Sequence, residues 1–237
     1  MEKTRLSGVE RRGQILDHAS LLFSKKGFYG VTTKELASQC GITEPILYRH
    51  FSNKDHLYQE VKKFNRGQFT EIENLLKNLK PSSENFIFIT STLVWSIVLH
   101  QQVGNSDKHE ETERMIRLLG FSLVEDGSMM RAQMDQFSEL LMPYWLMNYQ
   151  AAFILGDLNI KEVSDESLWM TFQQMMALSL FELNASQMFI EWDTAKERLT
   201  KTTHYFLRAL GVREEVIGKK FSMAKMVAKL EDIKTVH

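Results

Sequence analysis

Residues Thr32 to Lys54, TTKELASQCGITEPILYRHFSNK, constrain this chain more than any other stretch, because they spell two short helices joined by a glycine. Thr33 suits the N-cap of the first helix, with Leu36 and Ala37 on its apolar face, and Gly41 supplies the positive φ that turns the chain after Cys40. Ile42 anchors the turn. Thr43 suits the cap of a second helix, Glu44 favours its positive end, and Pro45 stands where a missing N–H costs nothing. On a helical wheel Leu47 and Phe51 fall together, whereas Pro45, Tyr48 and Arg49 project from the opposite side, with Ile46 on the flank. A helix-turn-helix needs this division, since its first helix crosses the DNA backbone and its second lies along base edges in the major groove. A plain helical hairpin is the competing reading of the same pattern.

With the helix before it, the stretch resembles the DNA-binding domain of the tetracycline-repressor-type (TetR family) transcriptional regulators. The likeness runs from about Arg11 to Leu57: an amphipathic helix, RRGQILDHASLLFSKKGF, then TTKELA, then LYRHFSNKDHLY from Leu47 to Tyr58. Carried over by position, it implies DNA contacts by Thr32, Thr33 and Lys34 at the start of the second helix. Glu44, Pro45, Ile46, Tyr48 and Arg49 match recognition-helix positions, and His50 and Lys54 match phosphate-binding ones. Glu44 departs from the amide or small residue often found there; a carboxylate repels phosphate but accepts from a cytosine amino group.

Charge distribution agrees with a reading head on a separate body. Met1 to Arg66 holds twelve Lys and Arg against seven Asp and Glu, while the remainder holds seventeen against twenty-three, although the whole chain is only −1. Phosphate attraction is thereby kept local. Cys40 is the only cysteine, which excludes an intrachain disulfide and a multi-cysteine zinc site and fits a small buried thiol in a reducing compartment. The N-terminus lacks the apolar run of a signal peptide, and the apolar stretch Phe86 to Leu99, interrupted by Thr-Ser-Thr, suits a buried helix better than a membrane span. A cytoplasmic protein without a membrane partner is expected.

Beyond Lys54 the pattern is helix after helix, with three prolines in the whole chain, so the expected fold is all-α. The expected domains are a helix-turn-helix domain over 1–55 and a ligand-binding and dimerisation domain over 56–237. Helices are predicted over about Lys54 to Leu79 and Glu84 to Val103, with a charged surface loop from Asn105 to Glu113. A helix through about Val124 should break at Glu125-Asp126-Gly127, and Ser128 to Leu155 should kink or split at Pro143. Two more are predicted over Asp165 to Leu183 and Ala185 to Leu210, and the lysine-bearing segment Val212 to His237 should pack on its own domain.

The apolar stripes Leu168, Phe172 and Met176, and Phe189, Trp192, Leu199 and Phe206, suit either a core or an interface by periodicity. The resemblance implies that these last long helices pair with their copies in a homodimer. It also implies a pocket in the helical body for a small hydrophobic effector. Trp95, Phe121, Met134, Trp145, Tyr149 and Trp169 are its expected lining, with His100, Arg114, Arg117, Tyr144 and Asn148 as polar anchors. No metal or cofactor is expected: His109-Glu110-Glu111 are adjacent in a charged segment rather than spaced along a helix face. Nor is there an HExxH, a phosphate-cradling glycine loop or a nucleophile elbow, so an enzyme is not expected. The expected protein is a dimeric regulator of a double-stranded DNA operator, a repressor released by its ligand. The alternatives are a ligand-independent regulator or activator, and an all-α enzyme or carrier whose first helices only look like a DNA reader.

Overall fold

The computed structural model describes residues 7–64, 73–74, 76–98, 106–183 and 194–234. The architecture is all-α: α1 (Gly8–Lys26), α2 (Thr33–Gln39), α3 (Glu44–His50), α4 (Lys54–Phe64), α5 (Ser83–Leu93), α6 (Ser106–Val124), α7 (Ser128–Leu140), α8 (Met142–Ile154), α9 (Asp165–Glu182), α10 (Ala195–Ala209), α11 (Glu214–Lys220) and α12 (Met223–Lys234). Among the described residues an antiparallel bridge joins Leu158 to Val212. Among the described residues no helix is long and apolar enough to cross a membrane.

Two compact units emerge, the first from Met1–Gln68 with Glu113–Met134, the second from Phe69–Thr112 with Asp135–His237. The first therefore takes in a segment that the linear division after residue 55 assigns to the body.

Local chemistry explains most helix ends. Ser7 and Glu10 form a reciprocal capping box at the start of α1. At α2 the capping residue is Thr32 rather than Thr33: its hydroxyl accepts from the Glu35 N–H at 3.2 Å, and the Glu35 carboxylate accepts from the Thr32 N–H at 3.0 Å. The sequence offers two adjacent threonines, and the glutamate three residues after the first decides between them. Thr43 is the N-cap of α3 by backbone, without a side-chain bond. Gly41 and Gly127 have φ of +64° and +68°, at the turn after α2 and the break after α6. Pro143 splits the expected long helix, lying in the first turn of α8.

The segment expected as a charged loop before Glu113 is instead helical from Ser106. Its glutamates and lysine are good helix formers, and Glu113 bridges Arg117 at 2.6 Å across one turn.

The second unit is built around α5, buried from Phe86 to Leu93 and followed by one turn of π-helix, Val94–Val98. A helix apolar on every side belongs in the middle of a bundle. Phe86 stacks on Tyr149 at 4.9 Å, and Phe137 stacks on Phe172 at 3.6 Å. Each such side chain contributes about 1.5–3 kcal/mol by leaving water. Several polar atoms carried into this core are matched, though Thr92 Oγ1 and Thr203 Oγ1 are buried without a partner among the described residues: Trp145 Nε1 donates to Thr90 Oγ1 at 2.9 Å, Tyr149 OH to the Leu210 carbonyl at 3.1 Å, and the Ser82 N–H to Asn148 Oδ1 at 2.9 Å. The C-terminal segment packs on this same unit, with Lys220 bridging Asp157 at 2.6 Å.

Candidate nucleic-acid interface

Three helices hold α3 in place from beneath. Ile15, Ala19 and Phe23 of α1, Leu36 of α2 and Leu57, Tyr58 and Val61 of α4 are buried with Leu47 and Phe51. The Arg12 guanidinium lies 4.9 Å over the Phe51 ring and pairs with Glu60, tying α1, the end of α3 and α4 together. With Leu47 and Phe51 inward, Pro45, Tyr48 and Arg49 are exposed, and Ile46 and His50 are half-buried on the flank. Thr32 and Lys34 are exposed at the start of α2, with Thr33 half-buried beside them. The residues of the resemblance on α2 and α3 are thus exposed or half-buried, on the first turn of α2 and the free face of α3.

Two of these residues are fixed to one another. The Thr33 hydroxyl donates to Glu44 Oε2 at 2.7 Å, which joins the starts of α2 and α3 and turns the carboxylate toward a neighbour in the protein. Lys26 bridges Glu35 at 2.6 Å, and this ammonium, with the Thr32 N–H and hydroxyl, holds the Glu35 carboxyl at about 2, well below its usual range. Burial pushes the Cys40 thiol up to about 11, so it lacks the thiolate character of a redox sensor.

Lys54 has a different setting from the simple phosphate contact expected of it. Its Nζ donates to the carbonyls of Phe28 and Val31, each at 2.9 Å, and lies 4.2 Å over the Phe28 ring. From the other side the Glu125 carboxylate accepts from the N–H groups of Phe28 at 3.2 Å and Tyr29 at 3.5 Å. The loop between α1 and α2 is thus gripped at its carbonyls by a cation and at its amides by an anion. Sequence reasoning missed Glu125 altogether, assigning it only to a helix break; nothing local links it to a residue 97 positions earlier. An ammonium with two carbonyl partners keeps one donor for a phosphate.

The residues expected to line an effector pocket do not come together within either unit. Phe121 and Met134 belong to the first, Trp95, Trp145, Tyr149 and Trp169 to the second. Trp145 and Tyr149 are core residues with their polar atoms bonded inside the protein, while Trp95 and Trp169 are half-buried. Of the proposed anchors, Arg114 pairs with Asp17 at 2.5 Å, Arg117 with Glu113, and Asn148 holds the start of α5; Tyr144 is half-buried and His100 lies outside the described residues.

The expected dimer stripe needs a firmer correction. Leu168, Phe172, Met176, Leu199 and Phe206 are buried within the single chain, because α9 and α10 turn these faces toward the π-helical turn, α5 and α8. Core and interface stripes share one periodicity, and here the stripe is core. Phe189 and Trp192 lie outside the described residues.

Comparison with known proteins agrees with this geometry. Residues 15–61 match the family model described as bacterial regulatory proteins, tetR family. Over 57 residues the chain is 44% identical to the HTH-type transcriptional activator FasR of Mycolicibacterium smegmatis, covering 24% of this chain and 26% of that protein. Over 127 residues it is 24% identical to the HTH-type transcriptional repressor KstR2 of Mycobacterium tuberculosis, covering 52% and 62%. The chain thus spans less than two thirds of the length of these curated relatives. The structure of SmeT, the repressor of the Stenotrophomonas maltophilia multidrug efflux pump SmeDEF, matches over 91% of this chain and 95% of its own, with a TM-score of 0.59 and 18% identity, a likeness of fold. From Ile15 to Val61 the chain is thus similar to the tetR family of bacterial regulatory proteins, and its all-α fold is like that of SmeT.

Proposed function

We propose that the protein is a dimeric, sequence-specific DNA-binding transcriptional regulator, a repressor that leaves its operator when a small, largely apolar ligand enters the helical body. One observation carries the DNA-binding reading: α3 buries Leu47 and Phe51 while exposing Pro45, Tyr48 and Arg49, within a segment that matches the family model. Two such heads reading successive major grooves require a spacing of roughly 34–36 Å, and a ligand that favours another spacing lowers operator affinity by population shift. The surface proposed for the second copy is the outward side of α9 and α10, where Met170, Phe181 and Tyr205 are 60%, 68% and 57% exposed. Large apolar side chains left exposed on these two helices support an isologous contact.

Fluorescence anisotropy with random duplex DNA at two salt concentrations tests the first claim. Binding should weaken with salt, with a log–log slope of about −0.9 for each phosphate neutralised. Absence of binding at low salt, or salt-independent binding, would remove the DNA-reading assignment. The resemblance to FasR, an activator, favours a second reading in which the bound protein raises transcription. A reporter driven by the selected operator separates the two, since loss of the protein should raise output from a repressed promoter and lower it from an activated one.

A further inference from the structure

In the second unit, a cleft of about 140 Å³ lies between α5 and the C-terminal helices, open on one side. Ile87 and Phe88 of α5 face Phe221 and Met226 across it. Lys225 and Lys229 stand one turn apart on α12, so both reach the same side of the cleft. Among the described lining residues Glu84 is the one carboxylate, set against three lysines. The third, Lys220, is neutralised by Asp157.

Lys229 is the most constrained of these cations. Its Nζ donates to Asn85 Oδ1 at 2.6 Å and lies 4.3 Å over the Phe88 ring. Both contacts are to neutral groups, and burial pulls its pKa down against the opposing pull of Glu84. A half-buried ammonium held this way still has a donor to offer, and an arriving anion would offset its desolvation. Lys225 stands exposed at the rim. Apolar wall and cationic rim together describe a ligand with two ends, and roughly 150 Å³ of apolar space accommodates a benzene ring. An extended peptide or a helix would need far more room.

We propose that this cleft binds a small amphipathic carboxylate, with a body of roughly six to eight carbons against Phe221 and the exposed edges of Ile87, Phe88 and Met226 and its head on Lys225 and Lys229. The proposal does not rest on the regulator reading, because binding is measured without DNA. Isothermal titration calorimetry on the full chain would compare hexanoate and benzoate with their uncharged counterparts, 1-hexanol and benzamide. The acids should bind at least about tenfold more tightly, the range of a charge-assisted hydrogen bond. Lys225→Glu, at an exposed position, should weaken acid binding by about tenfold or more without moving the melting temperature, and Lys229→Met should do the same or more. Equal binding of acid and neutral forms, no binding of either acid at millimolar concentration, or unchanged acid affinity in Lys225→Glu would each overturn the proposal. Should Lys229→Met fail to fold, Lys225→Glu decides alone.

Discussion

The reading head and the helical body bury side chains by the same physics but leave different things outside. In the head, α2 and α3 have only seven residues each, so a buried residue such as Leu47 has only a few neighbours on its own helix and its opposite face must meet solvent. In the body, α5 is buried on all sides, and α9 buries Leu168, Phe172 and Met176 on one face while exposing Met170 and Phe181 on another, so an apolar stripe there says little about which partner covers it. Amphipathic contrast, rather than hydrophobic content, is what makes a binding face readable.

Breaking that comparison begins in the body. Phe206→Glu is expected to unfold the chain rather than merely separate two copies, since Phe206 is fully buried in one chain. The loss should reach at least the about 3–5 kcal/mol of a buried Phe truncation. Urea denaturation followed by circular dichroism measures it; a soluble monomer of unchanged stability would return Phe206 to an interface. Phe181→Glu, at an exposed position on α9, is the sharpening control and should shift sedimentation toward monomer with the fold intact.

The next effect concerns Lys54. If it grips the α1–α2 loop, Lys54→Met leaves the carbonyls of Phe28 and Val31 without a donor and lowers stability by about 1–3 kcal/mol. A pure phosphate contact would lose DNA affinity for all sequences with no change in thermal midpoint. Arg49→Ala should show the reverse profile, with an unchanged midpoint but about 1–3 kcal/mol lost on the cognate operator and relaxed preference at one base position. Equal weakening on operator and scrambled duplex would make Arg49 a phosphate contact and leave base reading to its neighbours.

The smallest effect is a pH dependence in the head. The folded pKa of Glu35, about 2, lies below its ordinary 4.5, so its contribution to stability is present above 4.5 and fades as pH falls toward 2. Acid unfolding of Glu35→Gln should be flatter than wild type across that window. Curves of identical shape would mean the carboxylate is equally stabilised in the unfolded chain.

Much of the head was legible because its signals are local. Gly41, Pro45 and the spacing of Leu47 and Phe51 act over a few residues, and periodicity alone separates inward from outward there. The same reasoning placed the breaks at Gly127 and Pro143. It failed where two adjacent threonines competed for one cap, and where charge in 106–113 was read as a loop although glutamate and lysine favour helix. In the candidate interface, the outward positions of Tyr48 and Arg49 followed from the wheel, but the bond from Thr33 to Glu44 and the carbonyl partners of Lys54 depend on tertiary approach. The body resisted for a further reason: Leu168 and Phe206 have the spacing of an interface and the burial of a core, and only the packing of the folded chain distinguishes them.

The grip of Glu125 on the amides of Phe28 and Tyr29 bears on how chains of this fold can be recombined. A chimera made by exchanging only the first sixty or so residues with a relative would carry the α1–α2 loop away from its own carboxylate and set it against whatever the recipient has at that place. Grafts that also carry residues 113–134 would keep the compact unit whole. The portable module in this chain is therefore discontinuous in sequence, and its two pieces must travel together.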